Sequence, residues 1–200
     1  MQSPVLRRAG VFTWLIFALC VLFTLLIRAG AKREMLAYFV FYPPLMAEGE
    51  IWRLITPTFL HFSFYGSVII HLLFNSLIWL NLGGWIEYCE KAWRLPLLFL
   101  STALISNTAA YFSYGVAFGG LSGVAYGLIG YLWWAGRRVV LYRMILPTKM
   151  FYAFLAFLAL GYTGLIGNIA NSAHLGGLIA GIVFAALLPP RFKPLTAAQD

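Results

Sequence analysis

Apolar residues in this 200-residue chain are grouped in long runs, which charged or proline-containing stretches separate. A helix needs roughly 17–25 mostly apolar residues to cross a bilayer, so runs of this kind predict membrane-spanning helices. The pattern predicts an all-α fold, a bundle of six transmembrane helices within a single membrane domain over residues 1–200. The six predicted spans cover residues 11–27, 67–85, 95–114, 121–135, 150–166 and 172–188.

The long connection between the first two spans has a different composition. Residues 28–67 mix charged and aromatic side chains and contain no uninterrupted apolar run. This mixture is typical of a loop that lies at the bilayer surface and is partly embedded in it. The Pro43-Pro44 pair favours two short helices that are separated at that point.

The sequence Ala29-Gly30-Ala31, just after the first run, resembles a signal-peptidase site. A cleaved signal peptide is therefore an alternative to a retained first helix. The apolar run from Val11 to Ile27 is longer than a signal-peptide core of roughly 7–15 residues. We expect the first helix to be retained, and a mature N-terminus at Lys32 would contradict this.

The overall composition agrees with the pattern of runs. Hydrophobic residues make up 62% of the chain and charged residues only 10%, and the mean hydropathy is +0.85. Soluble domains carry about 25% charged residues. These charges are too few to cover a water-facing surface, so the composition predicts an integral membrane protein in contact with the lipid bilayer.

The net charge of +8 raises the question of nucleic-acid binding. The basic residues lie at the ends of the apolar runs and form no patch with interleaved aromatics, which argues against that function. Their distribution predicts topology instead, with both termini cytoplasmic. Ten Lys and Arg then lie inside (Arg7, Arg8, Lys91, Arg94, Arg137, Arg138, Arg143, Lys149, Arg191, Lys193) and four outside (Arg28, Lys32, Arg33, Arg53).

The two cysteines, Cys20 and Cys89, belong to different segments. Neither a disulfide framework nor a metal-ligand spacing follows from them. We therefore expect no metal and no cofactor.

The fourth span begins with a single serine among glycines, Ser122, within residues 118–130. Taken alone, such a serine is better explained by helix capping or close helix packing, for which small residues are common in membranes. Ser122 and Tyr126 form one stripe of the helix because they are four residues apart. The neighbouring face carries three glycines at the same interval, Gly119, Gly123 and Gly127.

Two histidines lie in the apolar runs, His71 in the second span and His174 at the start of the sixth. An ionisable group at membrane depth is costly and marks a candidate functional site. The alternative for His174 is a hydrogen bond between helices. Asn75 lies one turn from His71, so their side chains share a helix face. Together with the backbone N–H of Ser122, these two donors suit a developing oxyanion.

The predicted topology brings Ser122, His174, His71 and Asn75 to a similar depth near the outer side. A catalytic histidine usually has a carboxylate partner, but none of the acidic residues falls within a span at that depth (Glu34, Glu48, Glu50, Glu87, Glu90, Asp200). This excludes a triad on the predicted topology and leaves a Ser122–His174 dyad. Tyr126 could stack on the imidazole, and the Gly177/Gly181 pair, together with Gly176, would let the helices approach closely.

Three short motifs resemble those of the rhomboid family of intramembrane serine proteases: Gly120-Leu121-Ser122-Gly123, His71-x-x-x-Asn75 and Ala173-His174-x-x-Gly177. Trp52-Arg53 and Gly83-Gly84-x-x-Glu87 also match, and the similarity extends over about residues 52–189, most closely to bacterial six-helix members.

The resemblance implies specific roles. Ser122 would be the nucleophile and His174 the general base, with an oxyanion hole formed by His71, Asn75 and the Ser122 backbone. Supporting positions would be Gly120, Tyr126, Gly123 and Gly177. The implied activity is the cleavage of transmembrane segments of other proteins. The implied location is the bacterial inner membrane, with the active site toward the periplasmic side.

One feature departs from the family pattern. The motif His61-Phe62-Ser63 matches it, but ten positions separate His61 from His71, so residues 64–70 contain an apparent insertion. We interpret His61 as a structural loop histidine.

Two other functions fit parts of the pattern. One is a catalytically silent rhomboid-like protein that binds membrane segments, which the presence of both dyad residues disfavours. The other is a small transporter, which the lack of a paired repeat and of a midplane acid disfavours.

Overall fold

The structure, a computed structural model, describes residues 8–27, 31–64, 66–167 and 169–192. The regular elements of these residues are helices, which confirms the all-α prediction. Some residues named above lie outside the described ranges: Arg7, Arg28, Ala29, Gly30, Lys193 and Asp200.

Ten α-helices follow one another along the described residues. They are α1 (Val11–Leu26), α2 (Arg33–Ala37), α3 (Pro43–Ala47), α4 (Val68–Ile78), α5 (Gly84–Cys89), α6 (Arg94–Tyr114), α7 (Ser122–Ala135), α8 (Val140–Ile145), α9 (Thr148–Tyr162) and α10 (Asn171–Leu187). A π-helical segment, Trp79–Gly83, joins α4 to α5, so helix runs continuously from Val68 to Cys89. This continuous helix and α6 are long and apolar enough to cross a bilayer, whereas α1, α9 and α10 are apolar but shorter.

The end of the second span differs from the prediction. We placed the end of this span at residue 85, but helix α5 includes Glu87 and continues to Cys89. The Glu87 carboxylate accepts hydrogen bonds from the backbone N–H groups of Phe12 (2.9 Å) and Thr13 (2.8 Å). These N–H groups have no partner within α1, so a carboxylate at this point stabilises the start of the helix.

Two of the next three charged residues, Glu90 and Arg94, lie inside the protein, whereas Lys91 between them is exposed. Glu90 and Arg94 are buried and form an ion pair of 2.9 Å. Glu90 also accepts a hydrogen bond from Tyr131 (2.5 Å) and one from Tyr142, while Arg94 donates to the Pro189 carbonyl. Buried charges persist only where partners compensate for lost water, and this cluster joins the ends of α5, α6, α7, α8 and α10.

Helix α7 lies at the centre of the bundle, and every residue from Gly123 to Leu132 is buried. It packs between α6 and α10. A Cβ added to Gly177 or Gly181 of α10 would overlap the backbone carbonyl of Gly123 or Gly127 respectively. Glycines at these positions therefore permit backbone-to-backbone contact between α7 and α10.

The length of α7 affects the position of its first residue. Fourteen residues span about 21 Å at 1.5 Å per residue, which is less than the hydrocarbon thickness of about 30 Å. A helix of this length placed across a bilayer would not reach both surfaces. A helix of this length is compatible with a serine that lies below the surface.

The region between α1 and α4 is tied to the helices by polar contacts. Arg53, which is 2% exposed, donates to the carbonyl oxygens of Ala37 (2.6 Å) and Val40 (3.1 Å) and pairs with Glu50. The Asn107 amide of α6 donates to the Leu54 carbonyl at 2.8 Å. These bonds fix the loop against the bundle on the side where the candidate site lies.

Candidate active site

Ser122 and His174 meet where the starts of α7 and α10 come together. The distance from Ser122 Oγ to His174 Nε2 is 2.8 Å, a normal hydrogen bond. The serine hydroxyl can donate to Nε2, which places the hydrogen of a neutral imidazole on Nδ1. The pair thus has the geometry of a hydroxyl beside a base.

The other side of the His174 imidazole contacts an aromatic ring. Tyr126 stacks on it with 4.6 Å between ring centroids and 19° between ring planes. The Tyr126 hydroxyl donates to the Phe154 carbonyl of α9 at 3.0 Å. His174 Nδ1 is buried and has no hydrogen-bond partner among the described residues. Packing against Tyr126 therefore orients the imidazole where a triad would use a carboxylate.

Gly120 shapes the approach to Ser122. Its φ of +122° is one that side-chain-bearing residues rarely adopt. A Cβ at this position would lie 2.8 Å from His71 Nε2. The Gly120 N–H donates to the Pro57 carbonyl at 3.0 Å, which anchors the turn to the loop before α4. Both the conformation and the close approach require glycine.

His71 and Asn75 face the same turn from α4. His71 Nδ1 lies 3.0 Å from the Phe62 carbonyl oxygen. A carbonyl only accepts, so Nδ1 carries a hydrogen, and Nε2 carries a second one only in the imidazolium form. Asn75 is 1% exposed, and its Nδ2 has no partner among the described residues. An unpaired buried amide requires an explanation, and a ligand oxygen would provide one.

His61 lies directly beside this group. It is fully buried, its Nδ1 is 3.1 Å from the Phe59 carbonyl, and its ring meets that of His71 at 5.0 Å. Phe64 and Ser67 exchange backbone hydrogen bonds of 3.1 Å, so the chain between the two histidines turns back on itself. Burial, with a smaller contribution from His71, lowers the pKa of His61 to about 3.

These residues surround a cavity of about 290 Å³. Ser122, His174, His71 and Asn75 contribute its polar wall. Aromatic side chains from the loop, α4 and α9 contribute the rest, among them Phe62, Phe64, Phe74, Phe154 and Phe157. Phe74 and Phe157 approach each other to 6.3 Å across the cavity. The space is mainly apolar, with a few convergent polar groups, as is usual for sites that bind a ligand.

The structure thus brings Ser122, His174, His71 and Asn75 to one cavity, with Gly120 and Tyr126 in direct contact with them. Gly123 and Gly177 lie further along the same α7–α10 contact. Sequence reasoning missed the backbone carbonyls of Phe62, Pro57 and Phe154, because backbone groups leave no residue-type signal. For Phe62, the His61-Phe62-Ser63 motif drew attention to this part of the chain, although not to the carbonyl group itself.

Fold and site together define a helical membrane protein with a serine–histidine pair at the start of its central helix. Comparison with known proteins identifies its relatives. The family model of the rhomboid domain matches residues 48–191. The chain therefore belongs to the rhomboid family, which confirms the resemblance of its motifs.

Among the similar curated proteins is Rhomboid protease GlpG of Enterobacter sp. (strain 638), which is 36% identical in an alignment of length 189 that covers 92% of this chain and 65% of that protein. The same-named proteins of Salmonella newport (strain SL254) and Salmonella heidelberg (strain SL476) are each 32% identical over 180 residues, which cover 90% of this chain and 63% of theirs. The chain thus spans slightly less than two thirds of the length of these relatives.

Proposed function

We propose that this protein is an intramembrane serine endopeptidase that cleaves transmembrane segments of other membrane proteins. The observation that carries the proposal is the 2.8 Å contact between Ser122 Oγ and His174 Nε2 at the wall of an apolar cavity. Membership of the rhomboid family and similarity to proteins named rhomboid protease support the same activity.

The first step is the attack of Ser122 Oγ on the carbon of the scissile carbonyl, while His174 Nε2 accepts the hydroxyl proton. When the tetrahedral intermediate collapses, the C–N bond breaks and His174 returns the proton to the leaving amine. The acyl group remains on Ser122 as an ester. Water, deprotonated by His174, then attacks this ester and releases the second product and the free serine.

The negative oxygen of the intermediate needs donors. The Asn75 amide is unpaired among the described residues, and the N–H of Ser122, the first residue of α7, is not used within the helix. These two groups are available without any change of protonation. His71 Nε2 joins them only as imidazolium, because Nδ1 already carries a hydrogen. Loss of one such donor typically costs 10²–10³-fold in kcat, and Asn75→Ala is expected to fall in that range.

The arrangement in the membrane is part of the proposal. Six spans (α1, the Val68–Cys89 helix, α6, α7, α9 and α10) would cross the inner membrane, with both termini cytoplasmic and Ser122 toward the outer side. The distribution of Lys and Arg supports this orientation. Reporter fusions at the C-terminus test it: a cytoplasmic reporter must be active there and a periplasmic one inactive, and the reverse result would contradict the topology.

A fluorophosphonate probe and a reporter transmembrane segment test the chemistry. The wild-type protein, reconstituted in vesicles, is expected to react with the probe and to cleave the reporter. Ser122→Ala and His174→Ala should lose both activities. Ser106→Ala is the matched control, because Ser106 is a buried serine on α6 whose hydroxyl, within the described part of the chain, donates to the Ala103 carbonyl of the same helix. A wild-type protein that neither reacts nor cleaves would refute the proposal and leave a silent segment-binding protein as the explanation.

A further inference from the structure

The stretch from the end of α7 to the first turn of α9 carries four cations that play no part in the site. Arg137, Arg138, Arg143 and Lys149 are all exposed. The chain contains no Asp or Glu from residue 91 to residue 199. Glu90, the nearest acidic residue in sequence, is buried and paired with Arg94. The charge of this segment therefore has no carboxylate from its own part of the chain to balance it.

The four cations lie at one end of the bundle. The backbone nitrogen of Arg143 is 3.2 Å from where a Cβ of Gly136 would be, so α8 packs against the end of α7. Trp133 of α7 stacks on Phe151 of α9 with 4.5 Å between ring centroids and 8° between planes. This contact brings the start of α9, where Lys149 lies, to the same end.

Helix α8 has a fixed orientation. Tyr142 is fully buried and donates a hydrogen bond to Glu90. On the outward side, Val140 is 61% and Met144 72% exposed, and Arg143 is next to Met144 in the sequence. An outward surface that combines apolar and basic side chains suits the boundary between headgroups and acyl chains.

Arg137, at the same end of the bundle, packs against two indole rings. Its guanidinium carbon lies 4.2 Å from the Trp133 ring centroid and 4.4 Å from that of Trp134. Cation–π contacts of this kind fix the side chain over the rings, and tryptophan pairs are typical of the headgroup level. Basic side chains placed at this level attract anionic lipids.

We propose that Arg137, Arg138, Arg143 and Lys149, with the outward face of α8, form a site for the headgroup of an anionic phospholipid of the surrounding membrane. The phosphate would lie among the cations, and Val140 and Met144 would contact the upper acyl chains. The proposal is independent of proteolysis, because its readout is lipid binding.

Native mass spectrometry of the detergent-solubilised protein, titrated with phosphatidylglycerol, tests the site. Each cation near a membrane surface contributes roughly fivefold to the binding of anionic lipid. Arg138→Gln/Arg143→Gln is therefore expected to weaken the first phosphatidylglycerol Kd by roughly 5- to 25-fold. The matched control is Lys32→Gln/Arg33→Gln, which removes two exposed cations next to Glu34 and should change the Kd less than about twofold.

Phosphatidylcholine binding should be equal in all three proteins and reports that the variants are folded. If the double variant does not fold, Arg143→Gln alone is used, with an expected weakening on the order of fivefold. An unchanged phosphatidylglycerol Kd, or an equal loss in the control variant, would overturn the proposal. Displacement of the lipid by inorganic phosphate at matched concentration would point to a soluble anion and would also overturn it.

Discussion

The ring of Tyr126 lies almost parallel to the imidazole of His174, 4.6 Å from it. One turn of α7 separates Tyr126 from Ser122. The same helix therefore supplies both the Ser122 hydroxyl and the aromatic ring on which the His174 imidazole stacks. The Tyr126 hydroxyl is itself held by the Phe154 carbonyl. Because His174 Nδ1 has no partner among the described residues, this stack and the helix packing around it set the direction of Nε2.

The stack predicts different outcomes for two substitutions of Tyr126. Tyr126→Leu removes the flat surface, and kcat for a reporter segment is expected to fall by about 10²-fold, as small displacements of catalytic groups do. Tyr126→Phe keeps the stack and loses only the bond to Phe154, so its kcat should stay within roughly fivefold of wild type because a single neutral bond contributes about 1 kcal/mol. Steady-state kinetics in vesicles measures both. An equal loss in the two variants would assign the effect to the hydroxyl instead.

Gly120 predicts a loss of activity that exceeds its effect on stability. Gly120→Ala places a Cβ 2.8 Å from His71 Nε2 in a residue with φ of +122°. The backbone strain costs about 1–2 kcal/mol, and the methyl group would displace His71 from the proposed oxyanion site. We expect proteolysis to fall by at least about 10²-fold, measured as cleavage of the reporter by folded protein.

Gly49→Ala separates the two effects of the Gly120 substitution. Gly49 also has a positive φ, +107°, but nothing lies within 4 Å of the position its Cβ would take. It should therefore show a similar loss of thermal stability with near-normal cleavage. Full activity in Gly120→Ala, or an equal loss in Gly49→Ala, would contradict a direct role of Gly120 at the site.

The sequence allowed the helices to be located and the principal side chains of the site to be proposed, for physical reasons. Apolar runs mark buried or lipid-facing helices directly. Ser122, His71, Asn75 and His174 stand out because polar groups are costly at that depth. Glu90 did not stand out, since two of its partners, Tyr131 and Tyr142, are 41 and 52 residues further along the chain and only the fold brings them to its carboxylate. The contact of His61 with His71 was missed because the ten-residue gap between them folds back through the turn at Phe64 and Ser67.

His61 predicts a pH dependence of stability. Its ordinary pKa is near 6.5, and burial together with the neighbouring His71 lowers it to about 3 in the folded protein. Below pH 6.5 the unfolded chain binds a proton at this position that the folded chain does not. The contribution of neutral His61 to the free energy of unfolding is therefore fully present above pH 6.5. It is lost as the pH falls toward 3, at up to about 1.4 kcal/mol per pH unit.

Replacement of His61 by Phe fills the position with a ring that does not titrate. The thermal stability of His61→Phe, measured in detergent between pH 7.5 and 4.5, should fall less steeply with acid than that of the wild type. The comparison is between slopes, so a constant offset from the lost bond to the Phe59 carbonyl does not affect it. Identical slopes would show that His61 does not contribute to the acid sensitivity.

Gly177 and Gly176 are adjacent in α10, yet they predict effects of different size. Alanine favours a helix over glycine by about 1 kcal/mol, so both substitutions would stabilise an isolated helix. At Gly177 the new methyl group overlaps the carbonyl of Gly123 and would separate α10 from α7. At Gly176 its nearest neighbour is the Ala109 methyl group at 3.1 Å, and the Ile105 carbonyl oxygen follows at an ordinary contact distance of 3.5 Å. Overpacking typically costs about 1–3 kcal/mol, and each kcal/mol shifts the Tm of a chain of this size by about 2–4 °C. Thermal unfolding should show a lower Tm for Gly177→Ala, by several degrees, and a nearly unchanged one for Gly176→Ala.

Because His174 lies one turn before Gly177, the displacement of α10 in Gly177→Ala should also lengthen the Ser122–His174 distance and slow the reaction of Ser122 with a fluorophosphonate probe. A Gly177→Ala protein with normal Tm and normal labelling would mean that close α7–α10 contact is not required to hold the pair together.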